Sequence, residues 1–139
     1  MASIPFVENL CKLFDYQMIS GVDKVDFVLL KENQLSFVDY HISDKTAFEA
    51  FYNHVHIIDK VKKRDFKKLT LYLPSFGEVL LKCLEHDFPD KKFVVFVTIH
   101  LHDSAIIRFH QIFEGESVYY DTNGFSGNKT EKVFEFRSK

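Results

Sequence analysis

Residues 92–113 read KFVVFVTIHLHDSAIIRFHQIF. The first half, centred on Phe93-Val94-Val95-Phe96-Val97, is an uncharged run of β-branched and aromatic residues, the composition of a buried strand. The same composition resumes after Asp103-Ser104. Two long strands, Lys92–Leu101 and Ala105–Phe113, are therefore expected to pair antiparallel across a tight turn. A two-residue turn at Asp103-Ser104 sets His102 opposite Ala105 and His100 opposite Ile107. It places His110 opposite Val97 on the other face.

Working toward the C-terminus, shorter strands are expected near Val118–Tyr120 and Lys132–Phe136, which makes the last third a β-meander. Working toward the N-terminus, Phe76, Val79, Leu80, Cys83 and Leu84 recur at helical spacing. Pro74 and Ser75 open this helix and Asp87-Phe88-Pro89-Asp90 closes it. A preceding helix, capped by Ser43 or Asp44 and running to about Lys60, carries a stripe of Phe48, Phe51, Tyr52, Val55 and Ile58. Val25–Lys31 and Leu35–Ile42 read as a hairpin across Glu32-Asn33-Gln34. Pro5–Met18 reads as a first helix with Phe6, Val7, Leu10, Cys11, Phe14 and Met18 inward.

This order lacks the βαβ alternation of a parallel sheet. It predicts one α+β domain over residues 1–139, an antiparallel sheet of about five or six strands with helices on one face. The 139 residues include 16 Phe and six Tyr but no Trp and only five Gly. A bulky aromatic core is expected, with Phe51 and Val97 among its members. No apolar run nears the roughly 20 residues of a membrane-spanning helix. The first residues lack a secretory signal pattern, and Cys11 and Cys83 fall on apolar helix stripes, so reduced, buried thiols in a cytoplasmic protein are expected.

A net charge of −2 disfavours a general nucleic-acid binder, which needs a basic face. The one basic concentration, Lys60, Lys62, Lys63, Arg64, Lys67 and Lys68, fits a solvated connector whose cations complement the preceding helix end. His100-x-His102 projects two imidazoles from one strand face, but the expected register turns His110 away, so no metal site is assigned. His54-x-His56 fails if helical, since residues two apart then diverge by about 200°. Ser75 lacks the glycines of a nucleophile elbow, and Gly124–Thr130 lacks phosphate-loop spacing and leads into a strand. Arg108 and His110 share a strand face, where an Arg can bind an anion while a His exchanges protons. No nucleophile or carboxylate pair accompanies them, and no catalytic residue or cofactor is assigned.

Arg108-Phe109-His110-Gln111-Ile112-Phe113-Glu114-Gly115-Glu116-Ser117 follows an aliphatic strand. Tyr119 and Tyr120 stand where a Trp would come after the acidic turn. This segment resembles a pattern in small bacterial immunity proteins of polymorphic or contact-dependent toxin systems. The resemblance implies a cytoplasmic, stoichiometric binder that neutralises a cognate toxin domain by covering its active site or a cofactor surface. Charged residues at and around the turns, Asp103, Glu114, Glu116 and Asp121 with Arg108 and His110, are then the expected contact set, an acidic rim suited to a basic toxin cleft. The alternatives are a small-ligand enzyme using Arg108 and His110, and a nucleic-acid or regulatory module using Lys60–Lys68.

Overall fold

A computed structural model of the chain describes residues 14–56, 66–100, 104–119 and 131–139. The decisive pair of strands is present as β4 (Phe93–His100) and β5 (Ser104–Gln111). With β3 (His54–His56) and β6 (Glu131–Arg137) they form an antiparallel sheet of order β3-β5-β4-β6. A second, two-stranded antiparallel sheet joins β1 (Tyr16–Ser20) to β2 (Asp26–Leu30). Helix α1 (Lys45–Tyr52) and helix α2 (Phe66–Asp87) complete an α+β fold with six strands in all.

Side chains alternate along the central strands, so every second residue faces α2. Phe93, Val95, Val97 and Ile99 of β4 and Ala105, Ile107 and Phe109 of β5 meet Leu73, Phe76, Leu80, Leu81 and Leu84 of α2 in one buried cluster. These α2 positions follow the 3–4 spacing of a helix with one apolar face. Gly77 lies on the same face. A Cβ built there would fall 2.7 Å from Val97 Cγ2 and 2.9 Å from Phe136 Cε2, so the helix reaches the sheet because this residue has no side chain. Val94 and Phe96, which alternate to the opposite face, are also fully buried. A smaller core of Ile19, Phe27, Leu29, Val38 and Ile42 packs with Phe48, Tyr52 and Phe113 beside the two-stranded sheet.

Several boundaries differ from the sequence expectation. Residues 5–13 of the expected first helix lie outside the described residues, and Tyr16–Met18 belongs to β1, with Met18 half exposed. Leu35–Ile42 forms no strand beyond one parallel bridge between Gly21 and Val38. A 3-10 turn over Lys31–Asn33, ended by Gln34 at φ 57°, leads the chain away, and β2 takes β1 as its partner instead. Helix α1 stops at Tyr52, so Val55 reaches the core from β3 while Phe51 is 63% exposed. Ile58 lies outside the described residues. Helix α2 starts at Phe66 and carries Pro74 inside it, dispensing with one backbone bond to the preceding turn. On its surface Cys83 is free and exposed, against the expected burial, and Cys11 lies outside the described residues.

The β4–β5 register also differs. His100 pairs with Ser104, Val97 with Ile107 and Val94 with His110. The connection is residues 101–103 rather than Asp103-Ser104, and this odd shift of three brings His110 onto the face of His100. The two remain about 20 Å apart along the strands by the rise per residue. Because β6 pairs with β4, the C-terminal third is not a meander, and Val118 and Tyr119 are irregular.

The close approach at Gly77 yields a test. Gly77→Ala is expected to lower stability by about 1–3 kcal/mol through overpacking, despite the higher helix propensity of Ala. An unchanged or raised urea midpoint would reject this account of the helix–sheet contact.

Candidate functional site

Helix α1 is two turns long, and its ends are bound by different means. At its start, Lys45 N–H (3.2 Å) and Thr46 N–H (2.7 Å) donate to the Glu116 carboxylate, as does the Thr46 hydroxyl (2.6 Å). Ala47 N–H donates to Asp44 Oδ1 (2.9 Å) and Phe48 N–H to the Asp44 carbonyl (3.1 Å). The open N–H groups of the first three helical residues, Lys45, Thr46 and Ala47, are thus all taken, and the Phe48 bond is the first within the helix. Gly115, at φ 80°, makes the turn that brings Glu116 back to α1. An open cleft of about 550 Å³ lies here, lined by Ser43, Asp44, Thr46, Ala47 and residues 116–119. The chain's own carboxylates fill its donor positions, so it offers no ready site for a phosphate.

In the middle and at the end of α1, Glu49 and Asn53 lie one turn apart and are both fully buried. Glu49 accepts from Val28 N–H (2.9 Å) in β2, and from Gln111 N–H (2.5 Å) and Gln111 Nε2 (2.6 Å) in β5. Asn53 accepts from Leu30 N–H (3.0 Å) and donates to the Val28 carbonyl (2.7 Å). Its own carbonyl accepts from Phe109 N–H (3.1 Å). These two residues fill the open edge of β2 and the part of the β5 edge beyond β3, replacing a missing strand between the two sheets. Burial raises the Glu49 pKa from 4.5 to about 7, against the opposing pull of the hydrogen bonds from Gln111 and Val28 and the charge of Lys91.

Arg108 and His110 share a face of β5, as the sequence predicts, but both are engaged internally. His110 is fully buried. Its Nδ1 lies 2.7 Å from the Gln111 carbonyl, and its Nε2 lies 3.1 Å from Tyr119 N–H. A carbonyl can only accept and an amide N–H can only donate, so the ring is the neutral Nδ1–H tautomer. Burial lowers its pKa, with the charges of Arg108 and Arg137 acting in the same direction. Arg108 donates through Nη1 to the Ala50 carbonyl (2.5 Å) and stacks 4.7 Å from the Tyr119 ring centroid. The pair pins the 112–119 loop over the sheet, and neither group is presented to a small substrate.

Of the other expected contact residues, Glu114 is exposed, Glu116 is the helix cap just described, and Asp103 and Asp121 lie outside the described residues. Lys60, Lys62, Lys63 and Arg64 also lie outside them; Lys67 and Lys68 fall in the first turn of α2, not after the end of α1. Among the described residues no three His, Cys, Asp or Glu side chains converge as a metal site. No helix among them is long and apolar enough to cross a membrane.

The surface feature that sequence periodicity missed is aromatic. Tyr40, Phe48, Tyr52, Phe51, His54 and His56 form a chain of ring contacts, with centroids 5.0–6.4 Å apart. Tyr40 is 53% exposed and Phe51 63%. The chain continues to Arg108, which pairs with His54 across the strands, and to Tyr119, which is 42% exposed. Helical periodicity hides Phe51 because it extends the stripe past the true end of α1.

In comparison with known proteins, the model of the Uncharacterized protein PM0498 family matches residues 3–126. No curated protein and no solved structure matches the chain.

The two carboxylates of this region are expected to give opposite pH dependences. Glu49 is protonated more readily in the fold than in the unfolded chain, so its contribution is complete below about pH 4.5 and is lost as pH rises through about 7. The difference amounts to about 3 kcal/mol. Glu49→Gln cannot ionise, and its urea stability should lack this slope; parallel pH profiles for wild type and variant would refute the assignment. Burial also opposes ionisation of Glu116, but the bonds from Thr46 and Lys45 prevail and lower its pKa. Its contribution is present above the ordinary carboxylate range and is lost on acidification. Glu116→Ala should cost about 0.5–2 kcal/mol at neutral pH, as for other lost N-caps.

Proposed function

The chain belongs to the Uncharacterized protein PM0498 family, and we propose that it acts in the cytoplasm as a stoichiometric protein-binding module, its partner a cognate toxin domain. The observation that carries this reading is the set of exposed rings Tyr40, Phe51 and Tyr119, with the half-buried His54 against Phe51 and Arg108 stacked on Tyr119. Tyr, Phe and Arg are the residue types enriched where protein surfaces bind one another, and a few such anchors hold most of the binding energy. Tyr40 and Phe51 are exposed on either side of Phe48 and Tyr52, which pack against the smaller core, and large exposed rings grouped in this way are unusual on a surface without a partner. The strip rests on a rigid base, because the Arg108 and Glu49–Asn53 bonds fix α1 to the sheet.

The toxin class follows from the segment Arg108–Ser117 and from nothing in the fold. Within that segment the reading gives different residues different parts. Glu116 and His110 organise the fold, Arg108 orients Tyr119, and Glu114 remains as an exposed charge at the rim. An enzymatic role for Arg108 and His110 loses its main support, since the imidazole has both nitrogens occupied and is buried. The contact is therefore centred on aromatic anchors, with charge at the edge steering encounter.

Pull-down with the tag-free protein, followed by calorimetry on the captured partner, tests this reading. Phe51→Ala and Tyr40→Ala are each expected to weaken the complex by about 2 kcal/mol or more, as binding hot spots do. Their effect on folding stability should stay within about 0.5 kcal/mol, as for other surface substitutions. Glu114→Lys should mainly slow association at low salt. Protection of toxin-expressing cells at substoichiometric amounts, or full binding by the Phe51→Ala, Tyr40→Ala double variant, would overturn the proposal.

A further inference from the structure

The segment that sequence periodicity assigns to a helix forms a strand, and this reverses the geometry of His54-x-His56. Strand residues two apart project from the same face, whereas on a helix they diverge. In β3 the two imidazoles stand with centroids 5.3 Å apart and planes at 77°. Two imidazoles that bind one tetrahedral ion through a nitrogen each, at about 2.0–2.1 Å, have their centroids roughly 5 Å apart. The separation of the ring centroids thus matches that of a chelating pair.

The hydrogen bonding agrees. His54 Nδ1 lies 2.6 Å from the Phe51 carbonyl, which can only accept, so Nδ1 carries the proton and Nε2 keeps its lone pair. A ring N–H held by a backbone carbonyl is the support that metal-ligating histidines commonly have. His56 is exposed, and no described residue hydrogen-bonds its ring. Strand β3 is at the edge of its sheet, so an ion can approach from solvent. The nearest cation across the strands, Arg108, is held toward the Ala50 carbonyl and the Tyr119 ring.

We propose that His54 and His56 form a surface chelate for a divalent transition-metal ion of the kind imidazole favours, Cu(II), Ni(II) or Zn(II). The described residues supply two ligands, and water completes the coordination. Such a site is open and exchangeable, unlike a closed four-ligand structural site. It does not depend on the partner proposed above, since both ligands come from this chain.

The test is titration of the tag-free, chelator-stripped protein with Cu(II) and with Zn(II), followed by calorimetry and by NMR of the histidine ring protons. The expected result is one saturable site, tighter for Cu(II) than for Zn(II), with the His54 and His56 signals shifted or broadened first. His54→Ala and His56→Ala should each raise Kd by about 10-fold or more, at least the loss that follows removal of an outer-shell partner. His86→Ala, on α2, should leave Kd unchanged. His56 is exposed, so its variant should keep the wild-type denaturation midpoint and decides the question even if His54→Ala is destabilised. No saturation below about 1 mM metal, or a Kd unaffected by His56→Ala, would overturn the proposal.

Discussion

The hydrogen bonds of Glu49 and Asn53 are the constraint on which the rest of the structure depends. Two sheets meet at the open edges of β2 and β5, where Val28, Leu30, Phe109 and Gln111 present backbone N–H groups away from water. A buried N–H without a partner costs about 1–3 kcal/mol. A further strand would fill both edges, but the chain inserts a helix and uses a carboxylate, a carboxamide and one backbone carbonyl instead. The solution places a carboxylate fully inside the protein, and burial drives its pKa to about 7. Polar groups arranged in this way fix one docking geometry, because any slip between the sheets leaves several of them unpaired at once.

Features governed by local composition were legible in the sequence. The uncharged run at Phe93–Val97 is a buried strand, Ala105–Gln111 is its partner, and Lys132–Phe136 falls within β6. The Asp44 cap was legible because its chemistry acts over three residues. Features set by distant partners were not. The pairing of β4 and β5 is offset by three from that of the shortest turn, and this odd offset alone decides the face on which His110 lies. Nothing local marks Tyr52 as the end of α1, since Phe48, Phe51, Tyr52 and Val55 satisfy a helical period whether or not the helix continues. Glu49 is the clearest case: next to Phe48 it reads as the solvated side of an amphipathic helix, and only the edges of two strands remote in sequence make it an interior residue.

The same logic separates the candidate site from its sequence expectation. Arg108 and His110 do share a face, and Tyr119 does follow the acidic turn, but the three bind one another. A proton-exchanging histidine needs one nitrogen open to substrate, whereas this ring spends one on the Gln111 carbonyl and the other on the Tyr119 amide. Their chemistry is that of a latch holding a loop. Glu116, three residues before Tyr119 in the same loop, is used similarly on the α1 N-terminus. Two charges that suggest a binding rim in the linear sequence, Arg108 and Glu116, are thus engaged within the fold, one on Tyr119 and one on the start of α1.

The exposure of those aromatics follows from the clamp itself. A helix advances about 100° per residue. With Glu49, Ala50 and Asn53 committed to the sheet edges, Phe48 and Tyr52 face the smaller core, where they pack with Phe27 and its neighbours. Phe51 lies about 200° around the helix from Glu49, and its only remaining direction is outward. A longer helix would bury it against a following turn. The chain instead leaves the helix at Asn53, whose side chain must reach Leu30 and Val28, and enters β3 with both histidines on the outer face. The polar interior of α1 and the aromatic, imidazole-bearing surface beside it are therefore two consequences of one eight-residue helix.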